Sequence, residues 1–133
     1  MSAKVGRPRI LIVEDNPDTA EVVRELLEGE WEVDVLPSGD CGFAKYYEAR
    51  SAQVPYDLLL LDSVVGGMSG FRVAERVRQT GDWATPIVIW SSYIFTEVGK
   101  PRAKLVGAVL WQKPEAITDL STRLKTVLEC QRK

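Results

Sequence analysis

The 133-residue chain contains no histidine. This absence excludes general-base catalysis by histidine and any histidine metal ligand. The chain has only two cysteines, Cys41 and Cys130, which lie far apart and outside any CxxC spacing. Reduced thiols are therefore favoured over a disulfide or a metal site. Because no apolar run has the length of a membrane span and the head, Met1 to Arg9, is polar and basic, we expect a cytoplasmic location without membrane association.

The chain also lacks a large excess of either charge, since it has 17 basic and 19 acidic residues and a net charge of −2. Bulk charge thus gives no indication of direct nucleic-acid binding. No repeat, low-complexity tract or Pro/Gly/Ser-rich linker divides the chain. Its length suffices for one domain with a sizeable core and is too short for two ordinary domains. We predict a single domain over residues 1–133, with an ordered core of about 8–131.

Short apolar runs alternate with segments of helical period, which indicates a repeated βα pattern. The predicted strands are Arg9 to Val13, Trp31 to Leu36, Tyr56 to Leu61, Pro86 to Trp90 and Ala108 to Trp111. The predicted helices are Pro17 to Glu28, Ser38 to Ala52, Ser69 to Thr80, a short helix from about Pro101, and a C-terminal helix whose apolar stripe is Ile117, Leu120, Leu124, Val127 and Leu128. Right-handed crossovers then favour an α/β fold with a five-stranded parallel sheet and helices on both faces.

Acidic residues follow two of the predicted strands. Glu14 and Asp15 come directly after the first strand, and Asp62 comes directly after the run Leu58 to Leu61. Because ligands bind outside the carboxyl ends of strands in an open parallel sheet, we expect these acids to converge at one edge. Carboxylates that lie so close repel one another unless protons or a cation intervene, and their hard oxygens favour Mg²⁺ or a similar ion.

Each of these residues also has a purely structural interpretation. Asp62 could cap a turn or a helix, and Glu14 and Asp15 could cap the helix that begins near Pro17, although Asn16 could fill that position. Ser91 could simply end the fourth strand, and Lys113 could be an ordinary surface lysine.

The order of these residues carries a family resemblance. The acidic pair Glu14-Asp15, Asp62 with Gly70 eight residues on, Ser91, and Lys113-Pro114 follow successive strands. Taken together they resemble the response regulator receiver domain, of the chemotaxis-regulator-like kind, over roughly residues 8 to 131. The resemblance implies a doubly wound, flavodoxin-like sheet with strand order 2-1-3-4-5.

The resemblance also implies a role for each site residue. Asp62 is expected to be the phosphoacceptor, with Ser91 and Lys113 contacting the phosphoryl oxygens. The expected Mg²⁺ ligands are Asp15 directly, Glu14 through water, Asp62 itself, and the backbone carbonyl of Val64. The expected donor is a partner histidine kinase or a phosphotransfer protein.

The implied function is a phosphorylated signalling switch of a two-component system, with slow self-dephosphorylation, rather than a metabolic enzyme. Its downstream effector is unidentified, and the resemblance allows a homodimer. A pseudo-receiver that acts as a phosphorylation-independent interaction module is the alternative. A flavin- or nucleotide-binding enzyme of the same architecture is disfavoured, because the loop Glu14 to Asp18 has three acids and no glycine to cradle a phosphate.

The chain departs from the family pattern at several places, of which two bear most directly on the site and the switch. The loop after Asp62 has Val65-Gly66 where the family usually has Met-Pro. Leu110 stands three residues before Lys113, where the family has a switching Tyr or Phe. Trp111 follows it and, by strand alternation, should face the opposite side of the sheet. We therefore expect an atypical output mechanism around the fourth helix and fifth strand.

Overall fold

The computed structural model describes residues 6–63, 68–91, 99–112 and 119–132. In these ranges five strands alternate with five helices. The strands are β1 Arg9–Val13, β2 Glu32–Leu36, β3 Leu58–Asp62, β4 Ile87–Ser91 and β5 Val109–Gln112. The helices are α1 Pro17–Leu27, α2 Gly39–Ser51, α3 Gly70–Gln79, α4 Gly99–Leu105 and α5 Leu120–Arg132. The predicted alternation of elements is confirmed, with small shifts at their ends.

The strands form one parallel sheet in the order β2-β1-β3-β4-β5. This confirms the predicted doubly wound, flavodoxin-like fold. The order reverses between β1 and β3, which are neighbours in the sheet but are separated in the chain by β2. In such sheets a crevice lies outside the carboxyl ends of the strands at the point of reversal. The two acid-bearing strands are the pair on either side of that point.

Successive residues along each strand pack on opposite faces of the sheet, because the side-chain period of a strand is two. Leu11, Leu59 and Ile89 pack with α2, α3 and α4 in one apolar cluster, the α2–α3–α4 core. Ile12 and Leu60 pack with α1 and α5 in the other, the α1–α5 core. Burial on both faces explains why these strands are continuous apolar runs rather than alternating ones.

Polar side chains cap the first three helices as their sequences predict. The Asn16 side-chain oxygen accepts hydrogen bonds from the backbone N–H groups of Asp18 and Thr19 at 2.9 and 3.1 Å. Ser38 and Ser69 cap α2 and α3 in the same way. Asn16 therefore performs the capping of α1 that was the structural alternative for Glu14 and Asp15.

Helix α4 begins earlier than predicted. The sequence suggested a start near Pro101, because a proline inside a helix lacks a hydrogen-bond donor. The helix instead begins at Gly99 and holds Pro101 in its first turn. The N–H groups of a first helical turn have no partner within the helix, so the missing donor costs little there.

Several predicted residues lie outside the described ranges. They are Val64 and the neighbouring loop residues Val65 and Gly66, Lys113 with Pro114, and Ile117. Within the described ranges, Leu110 packs against the α2–α3–α4 core and Trp111 against the α1–α5 core. The predicted opposite orientation of these two side chains is confirmed. Both cysteines are exposed and unpaired, in agreement with the prediction of free thiols.

Candidate functional site

Three carboxylates meet at the carboxyl ends of β1 and β3. Glu14 and Asp15 directly follow β1, and Asp62 is the last residue of β3. The pairing of Val13 with Leu61 brings these strand ends side by side. One carboxylate oxygen of each acid lies within 4.8 Å of the others. The predicted convergence of the three acids is therefore confirmed.

Backbone hydrogen bonds continue past the strand ends and hold the site in place. The Ser63 N–H donates to the Trp90 carbonyl at 2.9 Å, immediately beyond Asp62. The Glu14 N–H donates to the Leu36 carbonyl at 3.0 Å. The backbones of both buried acids are thus fixed by neighbouring strands, which positions their side chains on rigid elements rather than on loops.

The three acids differ in their exposure. Glu14 is only 6% exposed and Asp62 only 9%, whereas Asp15 faces solvent. Glu14 Oε2 accepts a hydrogen bond from the Asn16 backbone N–H at 3.2 Å. Partly desolvated carboxylates at this separation repel strongly, and a divalent cation with oxygen preference would relieve that repulsion. The donor set therefore fits Mg²⁺, which is commonly held through one or two carboxylates plus water.

Ser91 ends the neighbouring strand β4 and is 1% exposed. In the register of β3 and β4, Asp62 pairs with Trp90, so Ser91 lies one residue farther toward the same sheet edge. The backbone therefore brings Ser91 to the edge that carries the three acids. Val64 and Lys113 lie outside the described residues, so their predicted roles stay predictions.

Gly70 explains how α3 starts so close to the site. A Cβ at this position would lie 2.3 Å from the Asp62 carbonyl oxygen, a distance that real Cβ atoms essentially never show. The first turn of α3 therefore rests directly on the backbone of Asp62. From the sequence, Gly70 was expected only because the family resemblance includes a glycine at this position. The close approach to Asp62 is the physical reason that a glycine is needed there.

Sequence reasoning missed a shallow cleft of about 510 Å³ that adjoins Glu14 and Asp15. Its remaining lining comes from α1 and from the region around β2, and consists of Pro17, Ala20, Glu21, Arg24, Val35 and Pro37. These segments are consecutive elements of the chain, but no local motif marks a cleft between them. The cleft adjoins the acids on the α1 side of the sheet.

The model of the response regulator receiver domain matches residues 10–125. The chain belongs to this family. It is 38% identical over 130 residues to the sensor histidine kinase TmoS of Ectopseudomonas mendocina, an alignment that covers 92% of the chain and 12% of the kinase. It is 32% identical over 124 residues to the response regulator ArlR of Staphylococcus haemolyticus, covering 92% of the chain and 53% of ArlR.

A solved structure supports the same assignment. The receiver domain described here matches the Vibrio cholerae chemotaxis protein CheY4 with a TM-score of 0.77 and 27% identity, over 91% of the chain and 98% of CheY4. The chain spans only about an eighth of TmoS and half of ArlR. Among the described residues, no helix is long and apolar enough to cross a bilayer.

Proposed function

We propose that this receiver domain is a phosphoacceptor in a two-component system, with Asp62 as the residue that is phosphorylated. The observation that carries the proposal is the set of three carboxylates of Glu14, Asp15 and Asp62 within 4.8 Å at the switch point of the sheet. Asp62 is the member that ends a central strand and is held by the backbone on both sides. The donor is a phosphohistidine on a partner kinase or phosphotransfer protein.

The transfer needs few protein groups, because phosphoryl transfer depends mostly on positioning and charge stabilisation. A carboxylate oxygen of Asp62 attacks the phosphorus, and the bond between phosphorus and the partner's imidazole nitrogen breaks. The electron pair of that bond stays on the imidazole nitrogen. The product is an acyl phosphate on Asp62, which water later hydrolyses to the carboxylate and inorganic phosphate.

Glu14, Asp15 and Asp62 would hold Mg²⁺ in this proposal, together with the Val64 carbonyl predicted from the family pattern. When bound, Mg²⁺ neutralises charge on the acids and on the phosphoryl oxygens. Asp15 is exposed and can take an ion from solvent, whereas Glu14 is fixed by the Asn16 N–H. Ser91 and Lys113 are assigned to the phosphoryl oxygens.

The output of the switch is a changed affinity for a downstream partner, through a shift between two conformations. We also propose that the protein is cytoplasmic and can form a homodimer, as the family allows.

Labelling by acetyl phosphate tests the function. The protein is incubated with acetyl phosphate and Mg²⁺, and intact mass is measured at intervals. We expect the gain of a single phosphoryl group, with no gain when a chelator removes the metal. A protein that stays unlabelled at saturating Mg²⁺ and donor would instead be a pseudo-receiver.

A further inference from the structure

Helix α2 begins against the segment that leads from Asp62 into α3. A Cβ on Gly39, the first residue of α2, would lie 1.7 Å from the Met68 carbonyl oxygen and 2.6 Å from its carbonyl carbon. Both atoms belong to the backbone, so no side-chain rotation could relieve the overlap. Only a residue without a Cβ allows this approach.

This contact continues to the phosphoacceptor through a second glycine. Met68 is followed by Ser69, the N-cap of α3, and then by Gly70. Gly70 packs on the Asp62 carbonyl oxygen so closely that a Cβ there would lie 2.3 Å away. Two glycine contacts in series therefore link the first turn of α2 to the backbone of Asp62.

Contacts on the other side of helix α2 hold it in place, so it cannot easily move away from Met68. Gly42 lies so close to β1 that a Cβ would stand 2.4 Å from Val13 Cγ2. Tyr46 is buried in the α2–α3–α4 core, and its hydroxyl donates to Asp82 Oδ2 at 2.7 Å. A side chain added at position 39 would therefore displace Met68 rather than the helix.

We propose that Gly39 is a positioning residue for the phosphoacceptor site, acting through Met68 and Gly70 on the backbone of Asp62. The contacts of Gly39 and Gly70 are observed whatever the function of the protein. Their effect on phosphoryl transfer rests on the proposed function. Substitution of Gly39 displaces the start of α3 and with it the Asp62 carboxylate, on which the geometry of metal binding and phosphoryl transfer depends.

The test compares Gly39→Ala with Gly29→Ala, because a Cβ at Gly29 would meet nothing within 4 Å. In metal-free protein we expect Gly39→Ala to shift the backbone amide resonances of Asp62, Ser63 and Met68, and Gly29→Ala to leave them in place. In a Mg²⁺ titration followed by the same resonances, Gly39→Ala raises the Kd about tenfold. Labelling by acetyl phosphate slows in parallel.

A core variant separates positioning from a general loss of stability. Val77→Ala removes volume from the α2–α3–α4 core without touching the contacts of Gly39. We expect it to lower the Tm and leave the Mg²⁺ Kd unchanged. Equal amide shifts and equal Mg²⁺ affinity in Gly39→Ala and Gly29→Ala would overturn the proposal.

One measurement needs no variant and covers the case in which Gly39→Ala does not fold. Because the contacts of Gly39 and Gly70 connect α2 to the backbone of Asp62, Mg²⁺ bound to the wild-type protein should shift the Gly39 amide resonance more than that of Gly29. An unmoved Gly39 resonance at saturating Mg²⁺ would contradict the proposal. If acetyl phosphate failed to label the wild type, the proposed function would fail, while the metal-free resonances would still decide the role of Gly39.

Discussion

At the scale of single residues, the chemistry of the site follows from three carboxylates that the fold holds close together although they repel one another. Glu14 and Asp62 are almost completely buried, and Asp15 joins them from the solvent side. A bound cation would relieve the repulsion among the three, so each carboxylate removed should weaken the attraction for that cation.

Asp15→Ala should therefore weaken Mg²⁺ binding by about tenfold or more, because a carboxylate ligand is lost from a hard-cation site. Asp18→Ala is the matched control, since Asp18 is an exposed acid of the same segment that lies outside the cluster. Calorimetric or NMR titration with Mg²⁺ measures both. An unchanged affinity in Asp15→Ala would show that Asp15 is not a ligand.

Residue-scale features were predictable from the sequence where they adjoin an apolar run. Glu14, Asp15 and Asp62 stand directly after such runs, and the rule for parallel sheets places them at one edge. Gly39 was not predictable in this way, because its contact with Met68 joins segments that lie far apart in the chain. The roles of Ser91, Lys113 and Val64 come from the family resemblance and stay predictions.

At the scale of elements, a single buried arginine joins α3 to the loops around β4 and β5. Arg78 is 5% exposed, and its Nε donates to the Val106 carbonyl at 2.7 Å. Its Nη1 donates to the carbonyls of Asp82 and Thr85 at 3.0 and 2.8 Å. Since these carbonyls belong to two different loops, Arg78 fixes the amino ends of β4 and β5 relative to α3.

Arg78→Ala should lower the free energy of unfolding by about 3 kcal/mol, because several carbonyl acceptors lose their donor. The control is Arg76→Ala on the same helix. Arg76 is partly exposed and stacks over the Phe43 ring at 4.7 Å, so its loss should cost about 0.5–1 kcal/mol. Urea denaturation measures both variants, and similar losses would contradict a special role for Arg78.

The existence and type of the elements could be read from the period of the apolar residues, because strands buried on both faces and helices with one apolar stripe differ in length and spacing. The start of helix α4 was predicted less accurately, since the helix begins at Gly99 rather than at about Pro101. Its proline suggested a later start, whereas the first helical turn tolerates a missing donor. Leu110 and Trp111 face opposite sides of the sheet as predicted, but the part of Leu110 in the switch stays a prediction.

At the scale of the whole molecule, two apolar cores cover the two faces of the sheet. Polar side chains at the edge of one core connect α2 to the loop between α3 and β4 by hydrogen bonds. Asp82 accepts hydrogen bonds from the hydroxyl groups of Tyr46 and Thr85 at 2.7 and 2.6 Å. Burial by itself raises the pKa of Asp82, but the hydrogen bonds from Thr85, Tyr46 and the backbone outweigh it and lower the pKa below its ordinary value. The ionised form of Asp82 is thus favoured in the folded protein.

A lowered folded pKa gives a stability contribution that is present above the unfolded value and is lost as the pH falls through the folded pKa. Asp82→Asn should therefore be less stable than the wild type at pH 7, since an amide nitrogen cannot accept from Tyr46 and Thr85. The difference should shrink as the pH falls below about 4. Urea denaturation across this pH range checks it, and a difference independent of pH would show that the charge of Asp82 does not contribute.

The strand order was predicted through the family resemblance rather than from the strand pattern itself. Right-handed crossovers restrict the topology but do not by themselves select the order β2-β1-β3-β4-β5. The apolar runs predicted that β1 and β3 are buried on both faces, which is typical of central strands. The pairing of those two strands is the step that brings the acids together.

The central claim is that Asp62 is the phosphoacceptor, and the most direct test is the intact mass of wild type and Asp62→Asn after incubation with acetyl phosphate and Mg²⁺. Asparagine has nearly the same shape but cannot form the acyl phosphate. We predict one added phosphoryl group in the wild type and none in Asp62→Asn. An equal gain in mass in both proteins would place the phosphoryl group elsewhere and contradict the account.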